Sequence, residues 1–393
     1  MRSPSLHSIA ISVSVITLLS TNTLCIGREK EENNFMPRVR VSSDGNSFVV
    51  GESDQPFIPW GFNYVGRHGH LAEDNWTTTE GWQRIEKDFA AMQALNVNVV
   101  RWHMQLPTFM QTATQPNKRS LAQLRKLLVL ARKYHLYLDL TGLNCFRLTD
   151  LPPWYNDQTE QERWKTQAIF WDAIANTCQS NTIVFCYDLM NEPVIGKPKK
   201  DGHKWLGGEL GGFHFVQRIS LRGDGRKATD IAADWVDTLV QSIRRHDQET
   251  LTTVGVIPWS FVWPNAKPVF YSQKTRNRLD FVSIHVYPTS GRLEKDVQAL
   301  AAYRLGQPVV LEELFPINCS VEELDQFIDT SQENIDGWIA HYFGYSAKEH
   351  RAGASPGPLV AGFFDYWQTK RSKVEQNLSR QTIKILNDTE YKK

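Results

Sequence analysis

Cysteine is scarce in this chain, five in 393 residues with no C-x-x-C pair, so a zinc ribbon and a disulfide-dense scaffold are both excluded. Charge of one sign is equally lacking: 44 Lys and Arg stand against 43 Asp and Glu, a formal net charge of +1 with a pI near 7.7. That balance offers no electrostatic footprint for nucleic acid or an anionic membrane surface. No apolar run reaches the length of a membrane helix. No Gly-rich phosphate loop follows a strand-like stretch, which leaves nucleotide chemistry without support. No internal repeat, linker or composition shift divides the chain. No cofactor, metal or nucleic acid is expected, and a monomer is.

Apolar and aromatic residues are plentiful. They make up 41% and 11% of the chain and include 13 Trp, enough for a large core and for flat faces that suit ring-shaped ligands. At the N-terminus Arg2 precedes an apolar run from Ile9 to Leu19, then small and polar residues up to Gly27 and Arg28. This is the layout of a secretory signal, too short to span a bilayer. It divides the chain into a signal over 1–27, a domain over 28–370 and a polar tail over 371–393. A secreted or periplasmic location follows, with no membrane contact once the signal is removed. Cys145, Cys178, Cys186 and Cys319 would remain, and four cysteines allow three pairings.

Asp44-Gly45-Asn46 inside Arg38–Val50 predicts a β-hairpin that caps one end of the fold. Strands and helices then alternate. Strands are predicted at 57–64, 97–102, 136–141, 183–193, 251–257, 281–287, 309–313 and 337–344, with helices at 81–95, 120–134 (capped by Ser120), 159–177 and 228–245 and a capping box at Ser320 and Glu323. Eight strands separated by helical segments describe one α/β domain, a single (β/α)8 TIM barrel with an N-terminal β-hairpin.

In such a barrel the carboxyl ends of the strands carry the chemistry. Strand two ends in Arg101, Trp102 and His103, strand four in Asn191 and Glu192, and strand five in Pro258 and Trp259. Strand six ends in His285, Val286 and Tyr287, and strand seven in Glu312 and Glu313. Two carboxylates on opposite strands of one mouth are the minimum for cleaving a glycosidic bond: one protonates the leaving oxygen, the other attacks the anomeric carbon or activates water. Strand alternation sets Glu312 and Glu313 on opposite sides. The long loop from Val194 to Asp230, with Trp205, paired glycines and His214, would wall one side of the cleft. His68 and His70 read as sugar contacts or solvated side chains rather than metal ligands.

Tyr187-Asp-Leu-Met-Asn-Glu-Pro193, Val99-Val-Arg101, His285-Val-Tyr287 and Pro308-Val-Val-Leu-Glu-Glu313, in this order, resemble glycoside hydrolase family 5, a family of retaining barrel glycosidases. The likeness runs from about Phe57 to Gly344. It implies Glu192 as general acid/base and Glu313 as nucleophile. It implies Asn191 on the sugar 2-hydroxyl, Arg101 and Tyr287 on the nucleophile, and His285 in the same subsite. The implied function is cleavage of a β-linked glucan or mannan by double displacement. A silent carbohydrate-binding barrel and a transglycosylase are the rival readings. Strand three ends in Asp139-Leu-Thr-Gly142 without the His that the family often has there. Tyr342 or Phe343 stands where the family places a Trp platform. Trp205, Trp259, His103 and Phe343 complete the expected substrate contacts.

Overall fold

Val, Ile and aromatic residues crowd short apolar stretches that Asn, Gly and Pro interrupt. Each is too short for a helix and folds as a strand buried on both faces. The computed structural model describes residues 35–67, 71–200, 202–221, 225–261, 263, 266–354 and 358–390, with backbone alone at 358 and 379–390. Pro37–Lys393 form one compact unit; of a separate unit, Met1–Met36, only Phe35 and Met36 are described. The expected signal at 1–27, and His68 and His70, lie outside the described residues.

Strands β1 (Val39–Val41), β2 (Phe48–Val50) and β3 (Gln55–Phe57) make a small antiparallel sheet, one strand more than the expected hairpin. Phe48 meets Phe185 and Phe281 edge-on at 5.4 and 5.3 Å, and Phe57 meets Tyr137 at 5.1 Å. The sheet thus covers the amino end of the barrel. There follow β4 (Trp60–Tyr64), α1 (Thr79–Ala94), β5 (Val99–Gln105), α2 (Lys118–Lys133), β6 (Tyr137–Asn144), α3 (Glu160–Cys178) and β7 (Val184–Asp188). The long loop after β7 holds β8 (Pro193–Ile195), β9 (Glu209–Leu210), β10 (Phe213–His214) and β11 (Gln217–Ser220). Then come α4 (Ala228–Arg244), β12 (Leu251–Thr253), β13 (Gly255–Val256), β14 (Val282–His285), α5 (Leu293–Leu300), β15 (Val309–Leu314), α6 (Val321–Ser331), β16 (Gly337–Phe343) and α7 (Pro358–Glu390).

The strands β4 to β7 pair in parallel in sequence order, and β16, β15 and β14 continue the sheet from β4. β12 and β13 are halves of one broken strand. The first pairs with β7 through Leu251 and Cys186, the second with β14 through Gly255 and Ser283, and together they close the ring. The result is the expected eight-stranded (β/α)8 TIM barrel. Helix ends follow local chemistry. Thr159 and Glu162 form a capping box on α3, and Ser320 and Glu323 one on α6. The cap of α2 is Asn117 rather than the expected Ser120, whose hydroxyl instead donates to the Thr108 carbonyl at 2.7 Å.

Outside the barrel, Trp60 stacks on Trp367 of α7 with centroids 4.1 Å apart. Gly142 is needed where β6 passes α3, because a Cβ there would stand 2.2 Å from the Trp171 ring. The boundary set at 370 falls inside α7. Lys370 pairs with Asp325 and Asp329 at 2.6 Å each and Val374 is buried, so packing carries the helix through it. Cys145, Cys178, Cys186 and Cys319 are all free thiols.

Candidate active site

The inward side chains of the carboxyl strand ends meet in a cleft of about 840 Å³. Its floor is organised by Arg101, fully buried on β5. Arg101 Nη1 donates to Glu313 Oε1 and Asn63 Oδ1, both at 2.9 Å. Nη2 donates to Asp188 Oδ2 at 2.7 Å and Asn191 Oδ1 at 3.0 Å. One planar guanidinium therefore ties four strands together, a geometry that lysine cannot supply. Asn63 in turn donates to the Glu312 carbonyl at 2.7 Å and holds His103 Nε2 at 3.0 Å.

Glu313 accepts from the Tyr287 hydroxyl at 2.6 Å through its other oxygen. His285 Nδ1 lies 3.6 Å from Glu313, and His341 Nδ1 lies 4.0 Å from it. Burial alone would raise the Glu313 pKa. His285, His341, Arg101 and the Tyr287 hydroxyl outweigh it and hold the carboxyl well below the usual carboxylate range. Across the floor, Glu192 sits at φ +47°, a left-handed conformation uncommon for a side-chain-bearing residue, and its N–H donates to the Gly255 carbonyl at 2.9 Å. That turn presents its carboxylate to the cleft, where Oε1 lies 2.9 Å from His285 Nδ1. Burial works against charge on His285, yet Glu313, Glu192 and Glu312 push its pKa up to about 10, so the ring is an imidazolium at neutral pH. An oxygen of Glu192, an oxygen of Glu313 and a His285 nitrogen all lie within 4.8 Å of one another.

Two carboxyl groups facing one another across a pocket, one of them hydrogen-bonded and held ionised, can carry out nucleophilic and acid/base work on a bound ligand. The family model for cellulase (glycosyl hydrolase family 5) matches residues 51–348. The chain belongs to glycoside hydrolase family 5. As a family 5 glycoside hydrolase it is similar in fold to an exo-β-1,4-mannosidase from Opitutaceae bacterium strain TAV5. That pair shares 17% identity with a TM-score of 0.63, covering 86% of this chain and 62% of the mannosidase. It is also similar to the catalytic domain of a Thermobifida fusca endoglucanase, with 18% identity, TM-score 0.54 and coverage of 86% and 97%. A β-1,4-mannanase from the sea hare Aplysia kurodai has 16% identity, TM-score 0.52 and coverage of 82% and 95%. A search of curated proteins finds no sequence match.

Within this family 5 barrel, Arg101, Asn191, Glu192, His285, Tyr287, Glu313 and His103 come together at the cleft floor. Three expected contacts do not. Trp205 is buried, with its ring 4.3 Å from the Arg163 guanidinium and Nε1 donating to the Asn156 carbonyl. It packs the base of the long loop instead of facing sugar. Trp205→Ala should therefore destabilise by about 3–5 kcal/mol in a denaturant titration while leaving KM within about twofold; a KM raised tenfold would return Trp205 to the cleft. Phe343 packs on Phe62 and Phe364, because β16 shifts register between Ala340 and Phe343 and reverses the alternation. His341 and Tyr342 take the cleft in its place. Trp259 lies beside Trp263 over a separate small pocket after β13. Alternation also fails at Glu312, where β15 shifts register against β14. Glu312 is buried beneath Arg101, its Oε2 3.5 Å from Nε.

Sequence reasoning passed over Asn63, Gln105, Phe146 and His341. Asn63 lies in a run buried on every residue, so no alternation marked it. Gln105 is the next inward position after Arg101 and His103, a period-two signal that was present in the sequence. The long loop does wall the cleft, through Leu210, Phe213 and Phe215.

Proposed function

We propose that this glycoside hydrolase is a retaining enzyme that cleaves a β-linked glucan or mannan by double displacement. The supporting observation is the approach of Glu192 and Glu313 oxygens to within 4.8 Å. Retaining glycosidases hold their carboxyl groups about 5–5.5 Å apart, whereas inverting ones leave about 6.5–9.5 Å for a water. Glu313, ionised and aimed by Arg101 and Tyr287, attacks the anomeric carbon as the bond to the leaving oxygen breaks. Glu192 gives its proton to that oxygen. Water then enters, loses a proton to Glu192 and displaces Glu313, so two inversions restore the configuration. Asn191 spends one N–H on the Phe215 carbonyl at 2.9 Å and keeps a second to donate to the 2-hydroxyl. No metal or cofactor takes part. The N-terminal sequence pattern supports export as the setting for a polysaccharide substrate.

A panel of aryl β-glucosides, aryl β-mannosides and β-1,4-oligosaccharides tests this reading, with the anomer of the first product followed by NMR. Turnover with the β-anomer formed first supports it, and the faster sugar names the substrate class. First formation of the α-anomer means inversion and overturns the double displacement. Binding without turnover on every member favours a silent barrel, and products longer than the substrate favour transfer to sugar over water.

A further inference from the structure

Beneath the cleft floor lies a buried set of acids that the proposed reaction does not use. Asp139 on β6 and Glu312 on β15 are both fully buried. An Asp139 oxygen, a Glu312 oxygen and the Cys186 sulfur lie within 4.8 Å of one another. Asp139 Oδ2 and both Glu312 carboxylate oxygens have no hydrogen-bond partner among the described residues. The nearby cations are unevenly shared. Glu312 Oε2 stands 3.5 Å from Arg101 Nε and 3.8 Å from His285 Nε2. Among the described residues Asp139 has Arg101 Nε alone, at 3.9 Å. Arg101 is already engaged by Asp188 and Glu313. Two carboxylates so close in a dry interior cannot both be ionised, and one proton held between them removes the repulsion.

We propose that Asp139 carries that proton and that Glu312, left ionised, is a positioning residue whose charge keeps His285 in its imidazolium form against Glu192. This rests on the retaining-glycosidase reading of the same site. Its consequence is chemical. When Glu192 gives its proton to the leaving oxygen it becomes an anion 2.9 Å from His285 Nδ1, and an imidazolium there donates to it and stabilises it. A neutral ring gives far less. His285 is faced by Glu192 after β7, by Glu312 and Glu313 on β15, by Arg101 and His103 on β5 and by His341 on β16. Of the carboxylates among these, Glu192 and Glu313 react. Glu312 is the one whose charge stays constant through the cycle. Burial and the Glu312 charge hold the Asp139 carboxyl well above its ordinary range, while Arg101 and His285 outweigh burial and hold Glu312 below its own. Space is tight as well: a Cβ at Gly255 would stand 2.7 Å from both Glu312 Oε2 and His285 Nε2.

The sign of the effect is fixed. A His285 pKa raised to about 10 keeps the ring charged below that pH, and loss of Glu312 lowers it. The test is ¹⁵N-histidine NMR titration of the parent, Glu312→Gln and Asp139→Asn, alongside kcat/KM from pH 5 to 9.5. In the parent His285 should stay doubly protonated past pH 8. In Glu312→Gln it should titrate at least about one unit lower, with the alkaline limb of kcat/KM moving the same way, so that the rate loss is about threefold greater at pH 9.5 than at pH 6. Asp139→Asn should keep the parental profile, because an amide replaces an already neutral carboxyl and still donates to Glu312. A neutral His285 in the parent at pH 7, an equal rate loss at every pH in Glu312→Gln, or the same acid-ward shift in Asp139→Asn each overturns the proposal. The NMR readout needs no turnover. A protein inert on every glycoside would sink the functional reading while the titration still decides the protonation of His285.

Discussion

Glu313→Ala should lose on the order of 10⁴-fold or more in turnover, and azide should restore part of it with the opposite anomeric product. The loss is large because Glu313 is expected to form the covalent bond, and no neighbour can take its place. Glu312 is fully buried beneath Arg101, so shortening Glu313 brings no second carboxylate to the anomeric carbon. Deleting the side chain also opens room beside Arg101 and the Tyr287 hydroxyl. A small anion can enter there and attack once, which gives inversion instead of retention. Azide has to be tested on a substrate with a good leaving group, so that the first step stays chemical. Glu313→Ala retaining about a tenth of parental turnover or more would remove Glu313 from the nucleophile role. Recovery of activity by azide with the inverted product in Glu192→Ala alone would exchange the two roles.

The barrel could be read from the sequence because its period is short and its stops are chemical. Val99-Val-Arg101 and Val309–Glu313 each run from β-branched residues into charge, and such runs fold as strands whose polar ends reach the mouth. Along β5, alternation sets Arg101 and His103 on one inner wall, both bonded to Asn63. It failed at two of the register shifts. β15 slips against β14 next to Glu312, and β16 slips against β4 between Ala340 and Phe343. The first slip turns Glu312 inward, and the second exchanges Phe343 for His341 and Tyr342. Neither slip has a sequence signature, since each depends on how neighbouring strands pair. Trp205 shows a different limit. A Trp in a Gly-rich loop looks like a sugar platform until Arg163, from a helix 42 residues earlier in the chain, is found against its face. Asn117 took the cap of α2 from Ser120 because its side chain also reaches the Thr108 carbonyl at 3.0 Å, a tertiary contact outside the helix.

Arg101→Met should remove activity and fold stability together, and the pH dependence separates the two effects. Arg101 is fully buried and is the cation that Asp188, Glu312 and Glu313 share. Removing one partner from a buried ionic network costs about 3–5 kcal/mol, because the charges left behind have neither water nor a counter-ion. Part of that loss is relieved by proton uptake. Burial, and then Glu312, already push Asp188 up to about 6, with Arg101 the largest pull the other way, so without Arg101 it should be protonated at neutral pH. Glu312 and Glu313 have lowered pKa values in the folded protein. Their contribution to stability is therefore present above the unfolded carboxylate pKa of about 4.3 and is lost as pH falls through the folded values. In Arg101→Met those folded values rise toward the unfolded one, so the acid loss of stability should be smaller than in the parent and complete at a higher pH. The acidic limb of kcat/KM should move upward in pH in step, because Glu313 must be ionised to attack. Denaturant unfolding across pH 4–8 and kcat/KM over the same range read the two quantities independently. A variant with parental stability and an unmoved acidic limb would mean that His285 and His341 alone keep Glu313 ionised, and that Arg101 aims the carboxylate without setting its charge.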